Sequence, residues 1–259
     1  MPGVELLPRF FAYPFRRAGH GRSTTHSPDT QMPDTKDLRF KDLIVFENED
    51  YIVVNKPPYV ATLDERTGDT TSIIRMAKDY HADAQVCHRL DKETSGCLVL
   101  GRHRQALVRL GRLFAENRVE KAYWAVVEGV PTAEEGEIDL PLGPRSPDGQ
   151  SWLMRVDPAG QPSLTRWRVL GRARGLSWLE LRPVTGRTHQ LRVHCAAQGW
   201  PILGDGIYGN VAARGGPRLH LHARGLTLPL YPKKPAVQVK APPPAHMAER
   251  LSVLGYAPA

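Results

Sequence analysis

The chain is poor in cysteine. Three thiols, Cys87, Cys97 and Cys195, are spread over 259 residues with no CxxC pair. So sparse and odd a set excludes a disulfide framework and the usual structural zinc spacings, and it suits a reducing, cytosol-like compartment. Long apolar runs are also missing. Stretches such as Cys97-Leu98-Val99-Leu100 stop after a few residues, against the roughly 20 that a membrane-spanning helix needs. No N-terminal stretch reaches the roughly 7–15 apolar residues of a signal-peptide core. Acid is scarce towards the C-terminus. Residues 141–259 carry 16 Lys/Arg against 5 Asp/Glu, a surplus of 11, whereas residues 41–140 carry 13 against 18.

What is present fits a globular chain, with 41% hydrophobic and 24% charged residues. Its length allows a core without metal or disulfide staples. Most cations of the last stretch are arginines, which bind phosphate bidentately and stack on bases. The net charge of +8 fits a nucleic-acid partner and equally a merely basic protein. Residues 1–40 have no clear periodicity and read as a largely disordered leader, either a transit peptide or an over-extended gene start with Met32 as initiator. A folded domain is expected over 41–240. Pro242-Pro243-Pro244 then opens a stiff link to a short helix near 245–254, completing a segment 241–259.

Within the domain, Leu43–Phe46 and Tyr51–Asn55 read as strands split by a turn, and Lys56-Pro57-Pro58 ends the second. A short helix is expected within 70–80 and a strand at Leu98–Gly101. Ala106, Leu107, Leu110, Leu113 and Phe114 form one apolar stripe of a helix over 103–118. Strands are expected at Val119–Glu128, Trp167–Leu170, Ser177–Pro183 and Leu219–Leu228, and a helix at Thr188–Gln198, stopped by Gly199 and Pro201. Irregularly spaced strands with two or three helices predict an α+β fold with a mixed or antiparallel sheet.

Four segments could carry chemistry. His88-Arg89-Leu90-Asp91 runs into Lys92-Glu93-Thr94-Ser95-Gly96; a carboxylate beside arginine is a usable nucleophile or base, although a surface turn reads the same. Thr185-Gly186-Arg187 leads into His189-Gln190-Leu191-Arg192, where an expected helix start beside Arg187 would attract anions. Lys121, Tyr123 and Ala125 share one strand face. Gly204-Asp205-Gly206-Ile207-Tyr208-Gly209 is turn-rich and lacks the spacing of a phosphate loop. The pairs His189/His194 and His220/His222 make no metal-binding set. They read as packing or RNA-facing side chains, and Cys97 and Cys195 as small buried hydrophobes.

In order and spacing these segments, with Tyr51–Pro58 and Leu219-His220-Leu221-His222-Ala223, resemble the RluA-type family of RNA pseudouridine synthases over about residues 43–230. Pro58-Tyr59 departs from the small residue and glycine of many members, and no S4-type RNA-binding domain is recognisable before residue 43. The resemblance implies a mixed, mostly antiparallel sheet around a central cleft with flanking helices. It implies isomerisation of uridine in ribosomal or transfer RNA without cofactor or metal, and residues 41–240 would be the catalytic domain. Asp91 would be the catalytic carboxylate, paired with Arg192, and no other carboxylate, Glu93 included, would share its surroundings. Tyr123 would stack on the base and assist removal of its C5 proton. Arg89 would fill the space left by the extruded nucleotide. Leu191 would line the uracil pocket, and Arg187 and Lys56 would contact substrate RNA. A monomer in the cytoplasm, away from membranes, is expected. Two other readings compete: a catalytically silent RNA-binding relative, and a hydrolase pairing Asp91 with His88 or His189.

Overall fold

Tyr51–Lys56 and Ser95–Gly101 are almost wholly buried on both faces, so neither stretch can be a half-solvated strand. They lie side by side in the middle of the fold. A computed structural model of the chain describes residues 38–64, 71–146, 152–210 and 216–257. The leader up to residue 37, Met32 included, lies outside the described residues.

The elements run α1 (Phe40–Leu43), β1 (Ile44–Glu47), β2 (Tyr51–Lys56), α2 (Ile73–Tyr80), β3 (Gln85–Val86), β4 (Ser95–Gly101), α3 (Arg104–Ala115), β5 (Glu120–Glu128), β6 (Glu135–Asp139), β7 (Leu142–Pro144) and β8 (Met154–Val156). There follow β9 (Leu164–Ala173), β10 (Leu176–Pro183), α4 (Gln190–Ala197), β11 (Leu221–Leu228), β12 (Val237–Lys240) and α5 (Ala245–Val253). The main sheet has the order β1-β2-β4-β11-β5-β10-β9-β6, with β12 on β11 and β3 on β4. Every pairing in it is antiparallel except β4 with β11. The expected mixed, mostly antiparallel sheet is therefore the observed one.

Helices cover both faces. Ile73 and Ala77 of α2 pack with Ile52, Val54, Leu98 and Leu100, while Leu110 and Leu113 of α3 pack with Val53, Cys97 and Val99. Leu191 and Cys195 of α4 pack on Ala125, Leu179 and Leu181. Met247 and Leu251 of α5 pack on Val126 and Trp178. Tyr123 touches both the α2 cluster and the α4 cluster, so it stands at the seam between them. β4 meets β11 only at Ser95–Gly96 and meets β3 on the same edge at Leu100–Gly101. The sheet forks between those points, and the fork opens the cleft.

Two boundaries and several short strands differ from the sequence reading. Leu38 packs against the core and Phe40 is buried within it, so the fold begins before residue 41. The stripe over 103–118 ends as a helix at Ala115, because Asn117 turns left-handed (φ 53°). Strands β3, β6, β7, β8 and β12 escape notice: all are short, and a segment such as Glu135-Gly136-Glu137-Ile138-Asp139 carries one apolar side chain.

Gly96 makes the β4–β11 contact possible. Its φ is 107°, and a Cβ there would overlap the backbone of Ala223. Gly96→Ala is expected to cost about 2–4 kcal/mol in urea unfolding. A loss below about 0.5 kcal/mol, the usual size for a neutral surface change, would show that the two strands can move apart freely.

Candidate active site

The loop after β3 carries His88 to Thr94 across the fork. It is tied down from one side by the segment after β2. Lys56 is fully buried, and its Nζ donates to the carbonyls of Pro57 (2.9 Å), Val60 (2.8 Å) and Lys92 (3.0 Å). Thr62 Oγ1 donates to Leu90 O at 2.9 Å, and Tyr59 N–H donates to Lys92 O at 2.7 Å. Burial pushes the Lys56 ammonium down to about 7, with the Asp91 charge opposing. The expected contact of Lys56 with RNA is thus corrected: its three protons are spent on carbonyls that would otherwise be buried unpaired, and no face of it reaches solvent. Tyr59, the departure from the family pattern, is left-handed (φ 65°), the conformation that a glycine adopts freely.

From the other side comes α4. The helix starts at Gln190, not Thr188, because His189 is left-handed (φ 53°). Arg187 therefore lies in the preceding turn and not at a helix start. Gln190 Oε1 accepts from Thr185 Oγ1 (2.7 Å) and from Arg187 N–H (3.0 Å), which fixes that turn. The Arg187 guanidinium is exposed and donates to Pro162 O at 3.3 Å.

Arg192 is the centre of the site. Its side chain is 2% exposed. Nε and Nη2 make a two-pronged contact with Asp205 at 2.8 and 2.7 Å. Nη2 also meets Glu93 at 3.1 Å, while Nη1 is 3.8 Å from Asp91 Oδ2. The expected Arg192–Asp91 pairing is thus the longest of three contacts, and Glu93 does share the surroundings of Asp91. Asp205 lies in the turn-rich segment Gly204–Gly209, in which the sequence assigns it no role. Its only sequence signal is position: one of 5 acids among residues 141–259, set between two glycines. Burial pushes the Asp205 carboxyl up, but the Arg192 bonds and the N–H groups of Ile207 and Tyr208 outweigh it and hold the group below the usual carboxylate range. Burial likewise works against the Arg192 charge, and the three carboxylates raise its pKa overall.

Asp91 is 30% exposed, the one carboxylate of the cluster that combines a loose hold with access to the cavity. That cavity, about 530 Å³, is lined by Arg89, Asp91, Tyr123, Arg187, Leu191 and Arg192 among others. It unites every expected site residue except Lys56, which stands behind the loop. Arg89 is exposed at the mouth, and Tyr123 and Leu191 form the floor with the α4 cluster. Burial, then the Asp91 charge, push the Tyr123 phenol up, so it stays neutral near pH 7. His189 Nδ1 hydrogen-bonds Tyr208 Oη at 2.7 Å, and its Nε2 is 3.8 Å from Asp91. His88 also lines the cavity, but its Nε2 accepts from Val99 N–H at 3.0 Å, and burial pulls its pKa down to about 3. That removes His88 as a base for a hydrolytic partner of Asp91. His194 and His222 are fully buried packing groups. Among the described residues no group of three His, Cys, Asp or Glu side chains could hold a metal ion.

The burial difference predicts an order of costs. Asp205→Asn leaves a buried guanidinium without its main partner, and about 3–5 kcal/mol of stability is expected to go. Glu93→Gln acts on a side chain that is 37% exposed and is expected to cost no more than about 1 kcal/mol. Urea unfolding of the two variants checks this; equal costs would refute the assignment of Asp205 as the anchor.

The sequence and the fold have counterparts among known proteins. The sequence model described as RNA pseudouridylate synthase matches residues 50–197. An uncharacterized RNA pseudouridine synthase of Zymomonas mobilis is 37% identical over 205 residues, covering 78% of this chain and 93% of that protein. The dual-specificity RNA pseudouridine synthase RluA of Escherichia coli is 37% identical over 190 residues, covering 72% and 86%. Among solved structures, human RNA pseudouridylate synthase domain containing 1 superposes with a TM-score of 0.67 at 33% identity, covering 78% of this chain and 83% of that one. Matched over more than half its length and in its overall fold, the chain belongs to the RNA pseudouridylate synthase family, a family of isomerases.

Proposed function

We propose that the protein isomerises particular uridines in structured ribosomal or transfer RNA, with Asp91 as the reacting carboxylate and no cofactor. The observation that carries this reading is the position of Asp91. Its carboxylate lines a cavity of nucleoside size beside a fixed cation and a neutral aromatic ring. The name of the Escherichia coli relative, a dual-specificity RNA pseudouridine synthase, supports RNA as the substrate.

The reaction breaks the N1–C1′ bond of uridine, forms C5–C1′, removes the proton from C5 and places one on N1. Nothing is gained or lost overall. The base must first leave its stack, at a cost of a few kcal/mol. Arg89, exposed at the mouth, is placed to occupy the vacated space. Stacking on Tyr123 then holds the detached uracil while it turns. The neutral phenol suits stacking; it is a poor proton acceptor. Asp91 acts as nucleophile or base, and its loose contact with Arg192 leaves carboxylate oxygens free to do so. Leu191 and the cavity walls exclude water from the cleaved intermediate.

Asp91→Asn keeps the shape and removes the charge. Single-turnover conversion of a substrate RNA is expected to fall to background, with RNA affinity kept within a few fold because phosphate contacts supply most of it. Appreciable turnover by this variant would move the chemistry to another residue.

A further inference from the structure

Lys121 is an ammonium without a hydrogen-bonding or ionic partner in the described fold, although it is half-buried. It stands two residues from Tyr123 on the same face of β5, about 6–7 Å along the strand. The β5–β10 ladder ends at Leu181↔Tyr123, and Pro183 has no N–H to continue it. The strands part there, and the side chain of Lys121 occupies the gap. It lines the catalytic cavity and also a second groove of about 650 Å³, which runs past Arg166, Arg182, Arg224 and Lys240. Asn117 and Pro183 line both as well, so the two hollows adjoin at Lys121. Across the gap, a Cβ on Gly186 would come within 3.8 Å of Lys121 Nζ; the bare glycine leaves room beside the ammonium. Arg187 follows in the same turn, exposed.

A half-desolvated cation with no anion costs free energy unless a ligand supplies the anion. Burial alone pushes the Lys121 pKa down, with no acid opposing. His88, which feels its charge, is held neutral. Of the other cations of the groove, Arg166 is engaged with Glu137, Arg182 with Glu180, and Arg224 over the Trp124 ring at 4.4 Å and with the Ala241 carbonyl, while Lys240 is exposed to solvent and so is not desolvated as Lys121 is. Lys121 is the cation held in reserve at the junction.

We infer that Lys121, against the open Gly186–Arg187 turn, forms a subsite for one backbone phosphate of the RNA strand flanking the flipped uridine. This rests on the reading of the chain as an enzyme that acts on RNA. The separation from Tyr123 is that of a stacked base from a neighbouring phosphate, so one strand face holds the base and its backbone together. The strand then leaves the cleft through the second groove.

The probe is an RNA hairpin with a uridine-containing loop, with binding and conversion scored on the same sample. Lys121→Met is expected to weaken binding about tenfold near 100 mM salt and to lower the slope of log K against log salt by about 0.7–0.9, the loss of one phosphate contact. Lys121→Arg is expected to restore most of both. Neutral methylphosphonates are then placed singly at the linkages flanking the target. The wild type should lose about as much at one of them, and Lys121→Met should lose nothing further there. That arm needs only the wild type if Lys121→Met fails to fold. An unchanged salt slope, or wild-type binding indifferent to every methylphosphonate, overturns the subsite. Binding with the expected slope but without pseudouridine formation would instead sink the isomerase reading and leave the subsite standing.

Discussion

Everything in the site turns on a guanidinium that has been taken out of water. Arg192 is almost completely buried, and a charge so placed is tolerable only with a counter-charge and saturated hydrogen bonds. Asp205 meets that need with two short bonds and is in turn fixed by the N–H groups of Ile207 and Tyr208. The strongest ion pair of the cluster therefore excludes Asp91. This division suits catalysis. A carboxylate locked into a two-pronged bond would have its lone pairs committed, whereas one 3.8 Å away feels the cation's field and keeps its oxygens available. Glu93, at 3.1 Å on the same guanidinium, adds to the anchoring and leaves Asp91 the loosest of the three acids.

The loop that carries Asp91 is held from behind by a second buried cation. Lys56 collects three carbonyls from two loops that diverge from the same end of the sheet, one of them from residue 92. Loop backbone buried without partners would be costly, and this ammonium removes the cost in one place. Thr62 and the Tyr59 N–H complete the attachment. Asp91 thus sits on an irregular segment clamped between the β2 extension and α4. That placement gives a loop the positional accuracy that chemistry demands.

Much of this is legible in the sequence, for identifiable reasons. The core strands β2 and β4 announce themselves as short continuous runs of apolar residues, and the helix α3 by apolar residues recurring at helix spacing. The order and spacing of His88–Asp91, Lys121–Tyr123 and Thr185–Arg192 point to the cavity that unites them. What stays hidden is partnership. That Lys56 serves carbonyls and not phosphate depends on Lys92, 36 residues away. That Arg192 prefers Asp205 to Asp91 is decided by burial, which no local pattern encodes. The short strand β6 is hidden for a related reason: its neighbour β9 defines it, and its own residues carry one apolar side chain.

The division of charge along the chain gains a meaning once the sheet is drawn. Residues 41–140 carry an acid surplus of 5 and supply Asp91, whereas residues 141–259 carry a basic surplus of 11 and supply Arg187 and Arg192. The two regions meet where β4 runs parallel to β11, in the contact that Gly96 permits. A parallel neighbour cannot come from a tight turn; the chain must travel far before it returns. Here it returns only after β5 to β10 and α4, bringing the cations back to the carboxylate that was left at the fork. The site is therefore a property of the assembled sheet, and neither charged half of the chain contains it alone.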